Sequence, residues 1–157
     1  SMMLTLPGTP VIYYGDEFGK TNDIDYYKHQ IEITGHNDTR NLVRGRVDWK
    51  KLEKNLKNTE SFESCIYNSL KEMIVVRKQN SALSKGKIEF VESKEGILAF
   101  FRKSDEGTNL IIHNLTEKSC DVTDLVKSGT KTVYGFVEKS NGKIIINGLK
   151  SAWIKIN

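Results

Sequence analysis

A short apolar run near the start of the chain, Val11 to Tyr14, places the strongest constraint on the fold. Its residues are β-branched or aromatic without alternation, and a Pro-Gly pair precedes the run while Gly-Asp-Glu follows it. Continuous apolar strands are typical of parallel sheets that are buried on both faces, as in α/β proteins. Acidic residues just after such a strand stand where barrel enzymes carry their functional loops. Periodicity alone also allows a core strand followed by a polar turn.

Composition limits the classes of protein that need to be considered. With 157 residues, 38% hydrophobic and 28% charged, the chain fits a soluble globular domain, or one small domain and a piece of another. The net charge of +4 comes from scattered lysines without a dense basic run, so we expect no nucleic-acid partner. We also expect no membrane span and no signal peptide, and hence a cytoplasmic location. Ser1 before Met2 resembles a remnant of tag removal.

The cysteines and histidines give little support for a metal site or a cofactor. Cys65 and Cys120 lie far apart without metal-ligand spacing, so we interpret them as buried free thiols, although a disulfide remains an alternative. His29 and His36 have no third ligand at a fixed spacing. His113 lies within a strand pattern, which favours a structural role. We therefore predict neither a bound metal nor a cofactor.

The first half of the chain combines an irregular segment with a long helix. Residues 20–46 are rich in Asn, Asp, Thr and Gly and lack periodicity, which predicts an ordered functional loop. A helical pattern begins near Val47 with Asp48 as a possible N-cap. The clearest helix is predicted over 60–78, where apolar residues recur at three- and four-residue steps from Phe62 onwards.

After Gly86 the period changes to that of short strands. Alternating segments are separated by turns that contain glycine, and Asn141-Gly142 predicts a tight hairpin. This pattern favours an antiparallel β-sandwich. We predict two parts, residues 1–83 with barrel-like elements and residues 84–157 with the sandwich.

The segment PGTPVIYYGDEFG at positions 7–19 resembles the last barrel strand and following loop of the α-amylase superfamily, glycoside hydrolase family 13. The resemblance continues through the helix LKEMIVVR at 70–77 and, more loosely, through the strands. It implies an α+β fragment, the end of a (β/α)8 barrel followed by the antiparallel sandwich called domain C. Asn22 to Tyr26 and Asp38-Thr39-Arg40 look most like the amylosucrase and sucrose hydrolase group.

The resemblance implies a retaining enzyme that acts on α-glucosidic bonds of sucrose or α-glucans. Retaining glycosidases use two carboxyl groups about 5–5.5 Å apart. Asp16 and Glu17 are adjacent in sequence, so their side chains diverge on an extended backbone, and we expect them to order the loop. In the family, the catalytic carboxylates follow earlier barrel strands. We therefore expect residues 1–157 alone to be inactive, with no catalytic residue among them.

Residues of the polar loop are the candidates for sugar contact. Asp38-Thr39-Arg40 and Arg44-Gly45-Arg46 resemble loop elements in which an arginine reaches the active-site pocket. A guanidinium can hold sugar hydroxyls or a carboxylate, and both Arg40 and Arg44 remain candidates. Tyr26 and Tyr27 are the candidate stacking aromatics, whereas Tyr13 and Tyr14 are expected in the barrel core. The alternative for the three arginines is solvated surface charge.

Two further interpretations remain open at this point. In one, Met2 is a genuine start and the gene itself encodes only a degenerate remnant of the enzyme. In the other, the chain is a non-catalytic carbohydrate-binding or structural β-sandwich module, which would present a row of exposed aromatics. The sandwich aromatics lie mostly at positions that alternation would bury: Phe90, Phe100, Phe101, Tyr134, Phe136 and Trp153. An isolated barrel end would also leave apolar surface uncovered, so we expect self-association or flexible first fifty residues.

Overall fold

The computed structural model describes residues 1–127 and 129–156, which form two compact units. The first unit contains residues 1–10 and 72–157, and the second contains residues 11–71. The helices and short 3-10 segments (η) before the strands are α1 (Met2–Thr5), η1 (Asp16–Phe18), α2 (Ile24–Thr34), η2 (Thr39–Leu42), α3 (Trp49–Lys57), α4 (Phe62–Lys78) and α5 (Ser81–Lys85).

Eight antiparallel strands form two sheets in the first unit. They are β1 (Lys87–Val91), β2 (Ile97–Ser104), β3 (Gly107–Asn114), β4 (Cys120–Asp121), β5 (Lys131–Gly135), β6 (Glu138–Ser140), β7 (Lys143–Ile146) and β8 (Ser151–Ile156). The larger sheet has the order β1-β2-β3-β8-β5, and the smaller has the order β4-β7-β6. Asn141 and Gly142, both at positive φ, form the two-residue turn between β6 and β7 as predicted.

The apolar core of the first unit includes inward residues of both sheets. Ile97, Leu110, Ile112, Ile146 and Ile154 belong to one buried cluster. Alternation along the strands puts these residues on one face of each sheet, which confirms the predicted antiparallel sandwich. The residues are buried to 7% exposure or less, so this cluster contributes to the hydrophobic stabilisation of the first unit.

Two buried arginines hold α1 and α5 in the first unit. The Arg77 guanidinium donates to the carbonyl oxygens of Leu4 and Leu83, both at 2.6 Å, and to that of Gly8 at 2.9 Å. Arg102 on β2 is 1% exposed and donates to the carbonyl oxygens of Thr5 and Gly86. These carbonyls include C-terminal groups of short helices, which carry partial negative charge and suit a cationic donor.

The buried His113 side chain links β3 to α1 and β8. Its Nε2 lies 3.1 Å from Thr5 Oγ1, and its Nδ1 lies 2.7 Å from Ser151 Oγ. Both ring nitrogens therefore have a hydroxyl partner, which confirms the predicted structural role. Burial lowers the pKa of His113 to about 4, with a smaller contribution from the amino group of Ser1.

The strand predicted at Val11 to Tyr14 is wrong, because these residues form no strand. Val11 is 79% exposed, and Tyr13 and Tyr14, expected in a barrel core, are also exposed. A strand needs a neighbour to receive its backbone hydrogen bonds, and no strand among the described residues pairs with this segment. The backbone N–H of Tyr13 instead donates to the side chain of Asp16.

The helices were predicted with partial success. Asp48 caps α3 as predicted, since its carboxylate accepts from the Lys51 N–H at 3.0 Å. Helix α4 begins two residues later than predicted, at Phe62, where the Ser61 hydroxyl accepts from the Ser64 N–H. The irregular loop predicted for residues 20–46 is wrong in its middle, because α2 occupies Ile24–Thr34.

Other expectations about side chains need correction. Phe62, predicted on the apolar stripe of the long helix, is 62% exposed. Cys65 is exposed and Cys120 is partly buried, and both are free thiols. In the sandwich, Phe100 and Trp153 are buried as predicted, whereas Phe90 and Phe136 are exposed. None of the helices in the described residues is both long and apolar enough to cross a membrane.

Candidate functional site

The acidic pair forms a tight turn in the second unit. Gly15 and Gly19 flank η1 with positive φ values of 98° and 71°, which glycine adopts without steric cost. The Glu17 carboxylate accepts from the Gly15 N–H at 2.6 Å, and the Asp16 carboxylate accepts from the Tyr13 N–H at 3.3 Å. Both carboxylates thus interact with the backbone of their own turn. The loop-ordering role assigned to the pair remains a prediction.

Helix α2 carries the two tyrosines that were assigned to sugar contact. Asp23 begins the helix, because its carboxylate accepts from the Tyr26 N–H at 2.9 Å, and Gly35 ends it in a left-handed conformation. Asp23 is thus the N-cap of α2. Tyr26 and Tyr27 are partly buried, and the Tyr27 hydroxyl donates to the Asn37 side chain.

One carboxylate holds both candidate arginines. Asp38 Oδ1 accepts from Arg40 Nε at 2.7 Å, and Asp38 Oδ2 lies 3.4 Å from Arg44 Nη1. The side-chain hydrogen bond from Arg40 is the main reason that the pKa of Asp38 lies below its usual value. Asp38 therefore stays ionised and orients the two guanidinium groups on the same side of η2. Both arginines are exposed, which leaves donors available to a ligand.

Tyr14 contacts both Gly45 and Lys20. Its apolar sequence neighbours predicted a position in the barrel core, so the sequence did not suggest it as a site residue. The Tyr14 hydroxyl donates to the Gly45 carbonyl oxygen at 3.0 Å, and Lys20 Nζ lies 5.5 Å from the Tyr14 ring centroid. Desolvation is the main cause of a raised Tyr14 pKa; the neighbouring Tyr13 raises it further, and the Arg44 charge lowers it. The structure thus joins Tyr14 to Gly45, next to Arg44, whereas Tyr27 pairs with Asn37.

Gly45 permits close approach of the arginine loop to α2. A Cβ atom at Gly45 would lie 2.1 Å from Asp23 Oδ2, so a side chain there would displace the helix cap. The Asp23 N–H donates to the Leu42 carbonyl oxygen at 2.7 Å, which also joins the two segments. The separation of these residues in sequence explains why spacing alone could not reveal the contact.

An open cleft of about 630 Å³ lies within the second unit. The first turns of α2, α3 and α4 line it together with residues 18–22 and Arg46. Its lining combines carboxylate and cationic side chains with the apolar side chains of Phe18, Leu52 and Phe62. The cleft is separate from the pair formed by Asp38 and Arg40, which do not line it. Within the described residues, no group of three or more His, Cys, Asp or Glu side chains is placed to hold a metal ion.

Comparison with curated proteins finds relatives that are named as α-amylase and 4-α-glucanotransferase. No family model matches the chain. The chain is 27% identical over 164 residues to α-amylase 3 of Dictyoglomus thermophilum, an alignment covering 99% of this chain and 33% of that enzyme. It is 31% identical over 127 residues to 4-α-glucanotransferase of Thermotoga neapolitana, covering 74% of this chain and 28% of that enzyme. The chain therefore spans a third or less of the length of these curated relatives.

Solved structures give the same result at the level of fold. The debranching enzyme of Nostoc punctiforme matches 99% of this chain and 29% of its own, with a TM-score of 0.66 and 20% identity. Trehalose-6-phosphate hydrolase of Bacillus licheniformis matches 97% of this chain and 36% of its own, with a TM-score of 0.66 and 19% identity. These relatives and neighbours are α-amylase family enzymes. The fold of this chain is that of the C-terminal part of such enzymes, with a β-sandwich of the domain C type.

Proposed function

We propose that this chain is the C-terminal portion of a retaining α-glucosidase or transglucosidase of the α-amylase family. The observation that carries the proposal is the alignment of 99% of this chain with an α-amylase of which it spans 33%. The shared fold supports the same assignment. In the complete enzyme, residues 1–83 would finish the catalytic barrel and residues 84–157 would supply domain C. We place this enzyme in the cytoplasm of a bacterium.

We infer that sucrose or an α-glucan is the substrate, and that the enzyme belongs near the amylosucrase group. The Asp38-Thr39-Arg40 motif supports this finer assignment. Asp38 fixes Arg40 and Arg44, and a fixed guanidinium can donate two parallel hydrogen bonds to sugar hydroxyls or a carboxylate. The Tyr27 hydroxyl already donates to Asn37, so Tyr26 is the better candidate of the two tyrosines for sugar contact. Arg40, Arg44, Tyr26 and Tyr27 are thus the proposed substrate-contacting residues.

Residues 1–157 alone are inactive in this proposal. A double displacement needs a nucleophile and an acid/base that face the same sugar from two sides. Asp16 and Glu17 instead accept hydrogen bonds from backbone N–H groups of their own turn. The catalytic carboxylates therefore belong to the part of the barrel that precedes these residues in the family.

The test is product release by the purified chain. Glucose and fructose from sucrose, and glucose from maltotetraose, are measured by coupled enzymatic assay over a long incubation. We expect no release above buffer. The double variant Asp16→Asn, Glu17→Gln is the control: turnover by the wild type that this variant lacks would make the pair catalytic and refute the inactivity. Equal release by both proteins at an enzyme-like rate would mean that another carboxylate of the chain is catalytic, and it would refute the inactivity as well.

The alternative of a non-catalytic carbohydrate-binding sandwich has less support. Phe100 and Trp153 are buried, and the Phe101 and Tyr134 side chains are partly buried. Phe90 on the edge strand β1 and Phe136 after β5 are exposed, but they belong to separate ends of the larger sheet. A binding platform needs adjacent exposed rings, which this arrangement does not offer.

A further inference from the structure

We propose that the cleft in the second unit binds a glucosyl ring, with Phe62 as the stacking surface and with Arg46 and Asp25 as hydrogen-bonding groups. This inference rests on the proposed function for the class of ligand. It concerns a site apart from Arg40 and Arg44, and no catalytic step depends on it.

Phe62 provides the apolar surface of the cleft. It is the first residue of α4 and is 62% exposed, although it lies on a helix whose apolar stripe was predicted to be buried. The ring lies against Gly19, where a Cβ atom would be 2.7 Å from Phe62 Cε1. The contact with Gly19 and the helix start restrict the ring while leaving most of it open. An aromatic ring held in this way offers apolar contact to the C–H face of a pyranose at low entropic cost.

Most of the charged groups in the cleft already have partners. Asp23 and Asp48 cap α2 and α3. Glu63 accepts from Asn55 Nδ2 at 2.8 Å, and Lys20 donates to the Val43 carbonyl oxygen at 3.2 Å. These groups shape the cleft, and their hydrogen bonds hold the three helix starts around it.

Asp25 and Arg46 are different, because their side chains, like that of Lys51, make no hydrogen bond or ion pair within the described residues. Asp25 supplies acceptors only and Arg46 supplies donors only. A sugar hydroxyl is both donor and acceptor, so adjacent hydroxyls can satisfy a carboxylate and a guanidinium at the same time. Four carboxylates and three cationic side chains line the cleft, so its nearly balanced charge favours neither a phosphate nor a metal cation. The mixed charges therefore favour a neutral polyhydroxylated ligand.

The size of the cleft suits a small ligand. Its volume of about 630 Å³ falls within the range of about 300–1,000 Å³ found for small-molecule pockets. Its openness to solvent and its few free polar groups lead us to expect weak binding, with a dissociation constant in the millimolar range.

The experiment is a titration of the ¹⁵N-labelled full chain with maltose, followed by amide chemical shifts. We expect saturable shifts of residues that line the cleft, including Gly19, Ile24 and Glu63. Phe62→Ala and Arg46→Gln should each weaken binding roughly tenfold, the effect of losing a main contact or a charged hydrogen bond. Phe136→Ala removes an equally exposed ring from the sandwich and should bind maltose as the wild type does.

Three results would overturn the inference. They are the absence of saturable shifts, unchanged binding by Arg46→Gln, and an equal response to sorbitol, which has hydroxyls but no ring face. Because Arg46 is exposed, its variant keeps the test valid even if Phe62→Ala does not fold. Turnover by the chain would contradict the proposed inactivity without affecting this result, and missing maltose binding would refute the cleft assignment alone.

Discussion

Acidification through the range of histidine titration is expected to destabilise the first unit through His113. The side chain is 2% exposed, and its folded-state pKa lies at about 4 against an ordinary value of 6.5. Between these two pH values, His113 is therefore protonated in the unfolded chain but neutral in the folded chain. The contribution of neutral His113 to the free energy of unfolding is fully present above pH 6.5 and is lost as the pH falls from about 6.5 to about 4.

The magnitude follows from the two pKa values. Since one pKa unit corresponds to about 1.4 kcal/mol, the difference between 6.5 and about 4 amounts to roughly 3 kcal/mol in the free energy of unfolding. Thr5 Oγ1, Ser151 Oγ, the Phe100 ring and the Ser1 amino group surround the imidazole. None of these groups can stabilise a positive charge as a carboxylate would, so protonation is not compensated on site.

Urea unfolding at a series of pH values, followed through the buried Trp153, gives the required free energies. His113→Gln keeps a side chain that can bond to both hydroxyls but cannot titrate, so its stability should fall by less than that of the wild type between pH 6.5 and 4. His29→Gln, an exposed histidine on α2, is the matched control and should retain the wild-type slope. Equal slopes for the wild type and His113→Gln would refute the reasoning.

Two further predictions concern the buried arginines and the uncovered apolar surface. Arg102→Met should lower the free energy of unfolding by at least about 2 kcal/mol, because the Thr5 and Gly86 carbonyls lose their buried donor. Amide exchange should also accelerate over residues 2–6. Lys103→Met, at the neighbouring exposed position of β2, is the control, and an equal loss of stability in both variants would contradict this account. We also propose that the chain self-associates through the exposed apolar residues of the second unit, which include Val11, Ile33 and Trp49. Sedimentation velocity should show a dimer. A single monomeric species with protected amides throughout residues 1–50 would refute this proposal.

The β-sandwich could be predicted well, because its information is local. Alternation along Lys87–Val91 indicates a strand, and Asn141-Gly142 between Glu138–Ser140 and Lys143–Ile146 specifies a hairpin within a few residues. The buried Arg102 could not be predicted in the same way. Its burial depends on carbonyl groups of Thr5 and Gly86, which are distant in sequence and show no pattern.

The second unit was predicted less well, for two physical reasons. The strand expected at Val11 to Tyr14 depends on neighbouring strands, which no local pattern supplies. Helix α2 has no buried residue and hence no apolar stripe, so periodicity missed it. Only the ends of α2 could have indicated it in the sequence. Asp23 is its N-cap and Gly35 its C-cap, and the 11 residues between them are a typical helix length. The hydrogen bond from Tyr14 to the Gly45 carbonyl oxygen, 31 positions away, likewise required the fold.

The discontinuous make-up of the first unit has a consequence for the order of folding. Trp153 Nε1 donates to Ser1 Oγ across 152 positions, and Arg102 donates to Thr5 across 97. Contacts of such long range are slow to form, because the entropy of closing the loop is lost before the contact gives any stabilisation. On the ribosome, residues 1–10 emerge well before β8 exists. Helix α1 must therefore wait in solution, with its buried surface open to chaperones, until β8 completes the sheet that receives it.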